Sequence, residues 1–179
     1  MFKKGTGKKY LAEFVYGGTD GAITTFAVVA GVMGASLSYA IVLILGFANL
    51  FADGLSMALS DYLSTKSQNE VVSKYVKRHH PNSVKNPRKT ALVTFSSFII
   101  VGFIPLFPFV LASLSPFAEA NKFLISIILT GAAFIVIGSI RGRVTGKSMS
   151  RASIETLSIG ALAALIAYFV GYFLSGLIA

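Results

Sequence analysis

The chain has 179 residues, of which 54% are hydrophobic and only 13% are charged. Soluble domains carry about 25% charged residues, so this composition excludes an ordinary soluble domain and predicts an integral membrane protein. Cysteine is absent, which excludes disulfides, a thiolate metal site and a cysteine nucleophile, and the net charge of +9 is expected to orient the chain in a membrane rather than to bind nucleic acid.

Five apolar segments are each long enough to cross a hydrocarbon core of about 30 Å, which takes roughly 20 helical residues. The short string GASLS joins the first two segments in a tight hairpin, and a polar link from Lys66 to Lys89 separates the second from the third. The sequence therefore predicts an all-α membrane protein in which residues 1–179 form a single transmembrane transporter domain. The five spans are predicted at 15–36, 39–63, 90–113, 121–140 and 153–178.

The N-terminal stretch MFKKGTGKKYLAEF is basic and short, and a full span follows it instead of the short apolar core and cleavage site of a signal peptide. We therefore expect a retained first helix. The absence of a targeting segment suits the plasma membrane of a prokaryote, and a vacuolar membrane is expected if the source is eukaryotic.

Basic residues fall almost entirely on one side of the predicted spans, and of the 16 only Lys122 lies on the other side. Because basic residues favour the cytoplasmic side, the N-terminus is predicted to be cytoplasmic and the C-terminus outside. Five helices make a thin bundle, so a ten-helix homodimer is expected. The other 15 basic residues are Lys3, Lys4, Lys8, Lys9, Lys66, Lys74, Lys77, Arg78, Lys85, Arg88, Lys89, Arg141, Arg143, Lys147 and Arg151.

Small residues and prolines also occur within the predicted spans. The third span contains Pro105 and Pro108, for which we favour a static kink over a hinge. Small residues spaced four apart let two helix backbones approach closely, and packing within the chain is the favoured interpretation. These pairs are Gly17 with Gly21, Gly138 with Gly142, and Gly160 with Ala164.

Two carboxylates lie inside apolar segments, where an ionisable group costs about 2.5–3.5 kcal/mol on insertion scales and usually has a function. Asp20 lies in the first segment and Asp53 in the second. Asn49 and Met57 lie one turn before and one turn after Asp53, on the same helix face. The helical rise makes Asp20 level with the stretch from Asp53 to Met57 on an antiparallel neighbour, so these four residues are predicted to form one cation site.

The predicted ligands indicate the kind of ion. Carboxylate and amide oxygens suit hard divalent ions, whereas a thioether is a soft ligand, so the mixture favours Fe²⁺, with Mn²⁺, Co²⁺, Ni²⁺ and Zn²⁺ harder to exclude. Burial and mutual repulsion favour the protonated form of two neighbouring carboxyls, and a bound cation favours their charged form. Asp20 and Asp53 are therefore the predicted proton-coupling groups of a metal/proton exchanger, with no cofactor besides the transported ion.

Alternative roles stay open for several polar residues. Asp61 continues the polar stripe toward the cytoplasm, either as a solvated helix end or at the mouth of the path. Glu155 stabilises a helix start by its charge or lies at the same mouth. His79 and His80 are adjacent and share no helix face, so they are weak metal ligands. Asp20 lies in the turn-like string GTDG and is either a helix-start residue or a hydrogen-bond partner of Thr19, Thr24 or Thr25.

Two motifs in the first two spans, EFVYGGTDGAITTFAVVAGVMGA and NLFADGLSMALSDYLSTKSQ, resemble the vacuolar iron transporter family. The likeness continues through GFIPLFPF and IETLSIGALAALIAYFVGY, so it covers nearly the whole chain. It implies a dimeric five-helix carrier that exports Fe²⁺, and often Mn²⁺, from the cytosol in exchange for protons. It also implies that the path runs at the dimer interface, lined by the first helix, and that Asp20 and Met57 line it.

The chain departs from plant-type members of that family in two ways. Asn49 stands where those members have an acid, and Asp53, one turn along the same face, is the candidate replacement. The link between the second and third spans contains a single acid, Glu70, instead of a large glutamate-rich metal-binding domain. Its seven basic residues are expected to contact anionic lipid headgroups, so the closer likeness is to short members without that domain.

The sequence therefore favours a Fe²⁺ and/or Mn²⁺ exporter, with membrane lipid, protons and a second copy of the chain as partners. The alternative is a non-transporting membrane protein that sequesters metal or scaffolds a partner, and a channel also remains. An enzyme is not expected, because the spans offer no paired histidine ligands and no nucleophile–base pair.

Overall fold

A computed structural model describes residues 9–75 and 84–178, and within them every regular element is a helix. This confirms the predicted all-α class. The histidines at 79 and 80 and the basic residues at 3, 4, 8, 77 and 78 lie outside the described residues. The helices are α1 (Leu11–Gly34), α2 (Tyr39–Tyr75), α3 (Pro87–Gly102), α4 (Phe107–Leu111), α5 (Pro116–Thr145) and α6 (Met149–Ile178), with a 3-10 turn (Ala112–Leu114) before α5.

Three of the described helices, α2, α5 and α6, are long and apolar enough to cross a membrane. Helix α1 has sufficient length at 24 residues but is not among these three. Helix α3 has only 16 residues, which is short of the roughly 20 that a crossing needs. The five predicted crossings therefore include two, α1 and the α3–α4 pair, that stay predictions.

Helix α2 extends twelve residues beyond its predicted end at 63 and ends at Tyr75. Its 37 residues make it about 55 Å long, well beyond a hydrocarbon core of about 30 Å. Hydropathy predicts where the apolar part ends, but the lysine, glutamine and glutamate residues that follow are good helix formers. The first ten residues of the predicted polar link, 66–75, are therefore helix.

The α5–α6 connection is also shorter than the sequence predicts, because α5 continues to Thr145 and α6 begins at Met149. Gly146 ends α5 in the left-handed region at φ +70°, which a residue with a side chain rarely adopts. Its main-chain N–H donates to the Gly142 carbonyl oxygen, which closes the last turn of the helix.

The third predicted span is interrupted at its prolines. Helix α3 ends at Gly102, and a turn leads into α4, where Pro108 occupies the first turn. Ser126 on α5 is buried and donates its hydroxyl to the Pro105 carbonyl oxygen at 2.7 Å. A neighbouring helix thus satisfies a carbonyl that the interrupted helix leaves free, as membrane helices require, which supports the static kink.

Helix α1 is the centre of the bundle and packs against α2, α3, α5 and α6. A Cβ added at Gly21 would lie 2.5 Å from the Phe98 carbonyl oxygen on α3, so the absence of a side chain is what permits this contact. Gly138 on α5 approaches the main chain of Ser153 on α6 equally closely, and Gly160 lies against the Phe134 ring. The small-residue pairs therefore pack within the chain, as the sequence predicts.

Candidate functional site

Helices α1 and α2 run antiparallel from their short hairpin, and polar side chains face each other along them at successive levels. At the level nearest the hairpin, Asn49 Nδ2 donates to Thr24 Oγ1 and Thr25 Oγ1, each at 3.3 Å. Thr24 donates its own hydroxyl proton to the main-chain carbonyl of Asp20 at 2.9 Å. The Thr24 oxygen therefore only accepts from Asn49, which leaves the Asn49 carbonyl oxygen as the atom available to a ligand.

Asp20 and Asp53 form the next level, one turn farther from the hairpin. Both side chains are half-buried, and their carboxylates are close enough for the two charges to interact. Across residues 9–75 and 84–178 neither carboxylate accepts a hydrogen bond or forms an ion pair. The helices thus bring together two acids that lack a protein counter-charge within the described chain.

The structure argues against the two alternative roles of Asp20, a helix-start residue and a hydrogen-bond partner of a nearby threonine. Asp20 lies near the middle of α1, so its interpretation as a helix-start residue was wrong. The alternative of a carboxylate bonded to a nearby threonine also fails for Thr24, whose hydroxyl bonds the main-chain carbonyl and not the carboxylate. A helical string containing two glycines and a threonine is locally turn-like, but packing against α3 keeps it helical.

Met57 lies at a third level, together with Asp61. These two residues line a groove of about 270 Å³ with Tyr16 of α1, which is exposed, and with three serines of α2, Ser56, Ser60 and Ser64. The carboxylate of Asp61 accepts a hydrogen bond through Oδ2 from the hydroxyl of Thr94, which is fully buried on α3. Asp61 is therefore half-buried and anchored by α3, and its interpretation as a freely solvated helix end does not fit the structure.

The four residues predicted to form one site therefore occupy three adjacent levels of a single α1–α2 face. Asn49 is held by the threonines, Asp20 and Asp53 share the middle level, and Met57 shares a groove with Asp61. The part of the chain that the structure describes contains no group of three or more His, Cys, Asp or Glu placed to hold a metal. A divalent ion at any one level would need neutral ligands or water beside one or two carboxylates.

Glu155 is not part of this α1–α2 face. It lies in the second turn of α6, is exposed, and forms an ion pair with Arg141 near the end of α5. An exposed pair of this kind fastens two helix ends and contributes little to stability. Glu155 is therefore a weaker candidate for the mouth of a path than Asp61.

Sequence reasoning missed Glu13, a buried acid in the first turn of α1. Its Oε1 lies 2.6 Å from Lys85 Nζ, whereas Oε2 is buried and has no partner among the residues that the structure describes. Lys9 donates to the Val84 carbonyl oxygen at 2.9 Å and Asn69 donates to that of Lys85 at 2.8 Å. The Glu13 and Lys9 contacts fasten the start of α1 to the chain just before α3, and the Asn69 bond fastens α2 to the same segment. The signal in the sequence was a single acid next to a basic N-terminal stretch.

A profile described as the VIT family matches residues 11–82 and 72–172, which is nearly the whole chain and includes every α1 and α2 residue discussed above. Among curated proteins, the chain is 25% identical to a vacuolar iron transporter of Toxoplasma gondii, over 93% of this chain and 74% of that protein. It is 27% identical to vacuolar iron transporter 1 of Tulipa gesneriana, over 91% of this chain and 86% of the relative. It is 26% identical to vacuolar iron transporter 1 of Arabidopsis thaliana, over 91% and 85%.

Proposed function

Because the chain belongs to the VIT family, we propose that it is a secondary carrier that moves Fe²⁺ and/or Mn²⁺ out of the cytosol in exchange for protons. Family membership supports the broader statement, a membrane protein that transports metal, and the curated relatives are named vacuolar iron transporters. The choice of ion, the coupling to protons and the direction are our proposal.

One observation carries the proposal: Asp20 and Asp53 are half-buried on two neighbouring apolar helices, their charges interact, and neither has a protein counter-charge among the described residues. Two adjacent carboxylates in such an environment are unfavourable as bare anions. Either protons or a divalent cation must compensate them, and the two cannot do so at once. Competition between protons and metal for the same oxygens is the chemical basis of exchange.

The neighbouring groups have assigned roles in this scheme. Asp20 is the main ligand and proton acceptor, and Asp53 is the second carboxylate, in place of an acid that Asn49 does not provide. The carbonyl oxygen of Asn49 is a neutral ligand on one side of the pair, and the thioether of Met57 is a soft ligand on the other. Asp61 lies toward the proposed cytoplasmic mouth, and Glu155 is retained there only as a secondary candidate.

We further propose five crossings, a cytoplasmic N-terminus and a homodimer in the plasma membrane of a prokaryote, or in a vacuolar membrane if the source is eukaryotic. The distribution of basic residues supports the orientation. Tyr16 and the serines of the groove are polar, and Tyr16 is 58% exposed in one copy of the chain. A polar face on an apolar helix favours water or a second copy over lipid as its neighbour, which supports a path between two copies.

Purified protein in sealed vesicles tests the proposal. With Fe²⁺ or Mn²⁺ outside and an acidic interior, metal should accumulate and the accumulation should saturate with metal concentration. The second candidate, a sequestering or scaffold protein, would bind metal in a fixed ratio to protein and move none. A channel would conduct without saturation and without dependence on the pH difference.

A further inference from the structure

The groove lined by Tyr16, Met57 and Asp61 contains a carboxylate that a buried neighbour holds in place. Thr94 donates its hydroxyl to Asp61 Oδ2, and Thr94 itself is fully buried where α3 packs against Gly17 of α1. A Cβ added at Gly17 would lie 2.5 Å from the Thr94 carbonyl oxygen, so the two helices fix this threonine closely. Asp61 is thereby held in one orientation, and its Oδ1 accepts no hydrogen bond from any described residue.

The charge of Asp61 is also uncompensated. The ion pairs found within residues 9–75 and 84–178 are Glu13 with Lys85 and Arg141 with Glu155, and neither includes Asp61. The groove is lined by hydroxyls, a thioether and this carboxylate, without a basic side chain. A half-buried anion in a polar groove of about 270 Å³ has room for a cation together with several waters.

We propose that this groove is a second divalent-cation site, separate from the Asp20–Asp53 pair, and that it receives the metal ion on the cytosolic side. Its ligands are Asp61 Oδ1, the Met57 thioether and a hydroxyl of Ser60 or Tyr16, with water completing the shell. Met57 and Asp61 are four residues apart on one helix face, so one ion reaches both side chains. A single carboxylate with water binds weakly and releases readily, and the thioether favours Mn²⁺, Fe²⁺ or Co²⁺ over Mg²⁺.

The groove is distinct from the Asp20–Asp53 level in position. Neither of those aspartates lines it. Asp53 and Asp61 are two helical turns apart, about 12 Å along α2, and Met57 lies midway between them. Asp61 is roughly 33 Å along the helix from Tyr39, near the far boundary of a core of about 30 Å. Met57 is therefore within reach of both sites, and in this proposal it hands the ion from one to the other.

Metal binding to the purified full-length protein tests this inference without requiring transport. Mn²⁺ is titrated into wild type, Asp61→Asn and the double variant Asp20→Asn/Asp53→Asn, and bound Mn²⁺ is counted by electron paramagnetic resonance. An asparagine at 61 still accepts the Thr94 hydrogen bond, so the local structure is retained. Glu70→Gln is the matched control, because it removes an exposed acid of α2 that lies outside the groove.

Asp61→Asn should lose one of the bound ions, and the double variant should retain an ion that is lost when Asp61→Asn is added to it. Thr94→Val should lower the affinity for that same ion about tenfold or more, because it removes the hydroxyl that orients the Asp61 carboxylate. Binding in Asp61→Asn equal to that in Glu70→Gln would overturn the inference. The hand-over step rests on the proposed function, but the site does not: if wild type moves no metal and Asp61→Asn still loses an ion, the proposed function fails and the groove site stands.

Discussion

Asn49 on α2 and Thr24 on α1 are joined by a hydrogen bond of 3.3 Å whose direction is fixed by a second bond. Thr24 uses its only proton on the Asp20 main-chain carbonyl at 2.9 Å, so it accepts from the Asn49 amide nitrogen. The carbonyl oxygen of Asn49 is consequently free, one turn from Asp53. A neutral oxygen therefore stands one turn from the two acids on the same α1–α2 face.

Replacing Asn49 by aspartate should convert this neutral ligand into a charged one. We expect Asn49→Asp to bind Mn²⁺ about tenfold more tightly and to transport it more slowly, because a third carboxylate favours the bound ion over its release. Asn121→Asp, at a partly exposed site on α5, is the control and should leave both quantities unchanged. Equilibrium binding and vesicle uptake measure the two effects, and unchanged affinity in Asn49→Asp would remove Asn49 from the metal site.

Gly21→Ala should destabilise the bundle, because the new Cβ would meet the Phe98 carbonyl oxygen at 2.5 Å and force α1 away from α3. Overpacking of this kind costs about 1–3 kcal/mol. Gly176→Ala is the matched control, since nothing lies within 4 Å of a Cβ added there. Thermal unfolding of the two purified variants in the same detergent compares them, and equal midpoints would show that the α1–α3 contact is looser than the structure indicates.

The buried Glu13 should depend on Lys85 for its stability. Lys85→Met leaves a buried carboxylate without a counter-charge and is expected to cost about 1–3 kcal/mol, less than for a fully buried pair because Lys85 is partly exposed. Adding Glu13→Gln should restore most of the loss. A double-mutant cycle on unfolding measures the coupling.

The exposed Arg141–Glu155 pair provides the comparison for that cycle. Arg141→Met, Glu155→Gln and the double variant should show coupling of about 0–1 kcal/mol, because both charges of the pair reach solvent. Coupling at the Glu13–Lys85 pair no larger than this would mean that the buried acid is held by other groups.

The sequence predicted the helices more accurately than their ends. Apolar length locates the three described helices that could cross a membrane, α2, α5 and α6. It does not locate their ends: α2 continues to Tyr75 because the polar residues after its apolar part still favour a helix. The prolines at 105 and 108 predicted the interruption after α3. The hydrogen bond from the Ser126 hydroxyl to the Pro105 carbonyl oxygen could not be predicted, because it depends on how α5 packs against the interrupted segment.

For the candidate site, the cost of an acid among apolar residues was enough to select Asp20 and Asp53. The side chains that hydrogen-bond or pair with the acids come from other helices. Which of them meet depends on how the helices pack, and neighbouring residues in the sequence do not show this. Thr94 reaches Asp61 from 33 positions away, and Lys85 reaches Glu13 from 72 positions away. Glu13 was not predicted to be buried because it precedes the apolar stretch in which Asp20 lies.

The most direct test of proton-coupled metal transport follows both ions in the same vesicles. Wild-type protein is reconstituted with a pH-sensitive dye inside, an acidic interior and Mn²⁺ outside, and Mn²⁺ uptake and internal pH are recorded together. Uptake should be accompanied by a rise in internal pH as protons leave, and both signals should be lost in Asp20→Asn and retained in Glu70→Gln. Mn²⁺ uptake that is indifferent to the pH difference, or unchanged in Asp20→Asn, would contradict exchange at the Asp20–Asp53 pair.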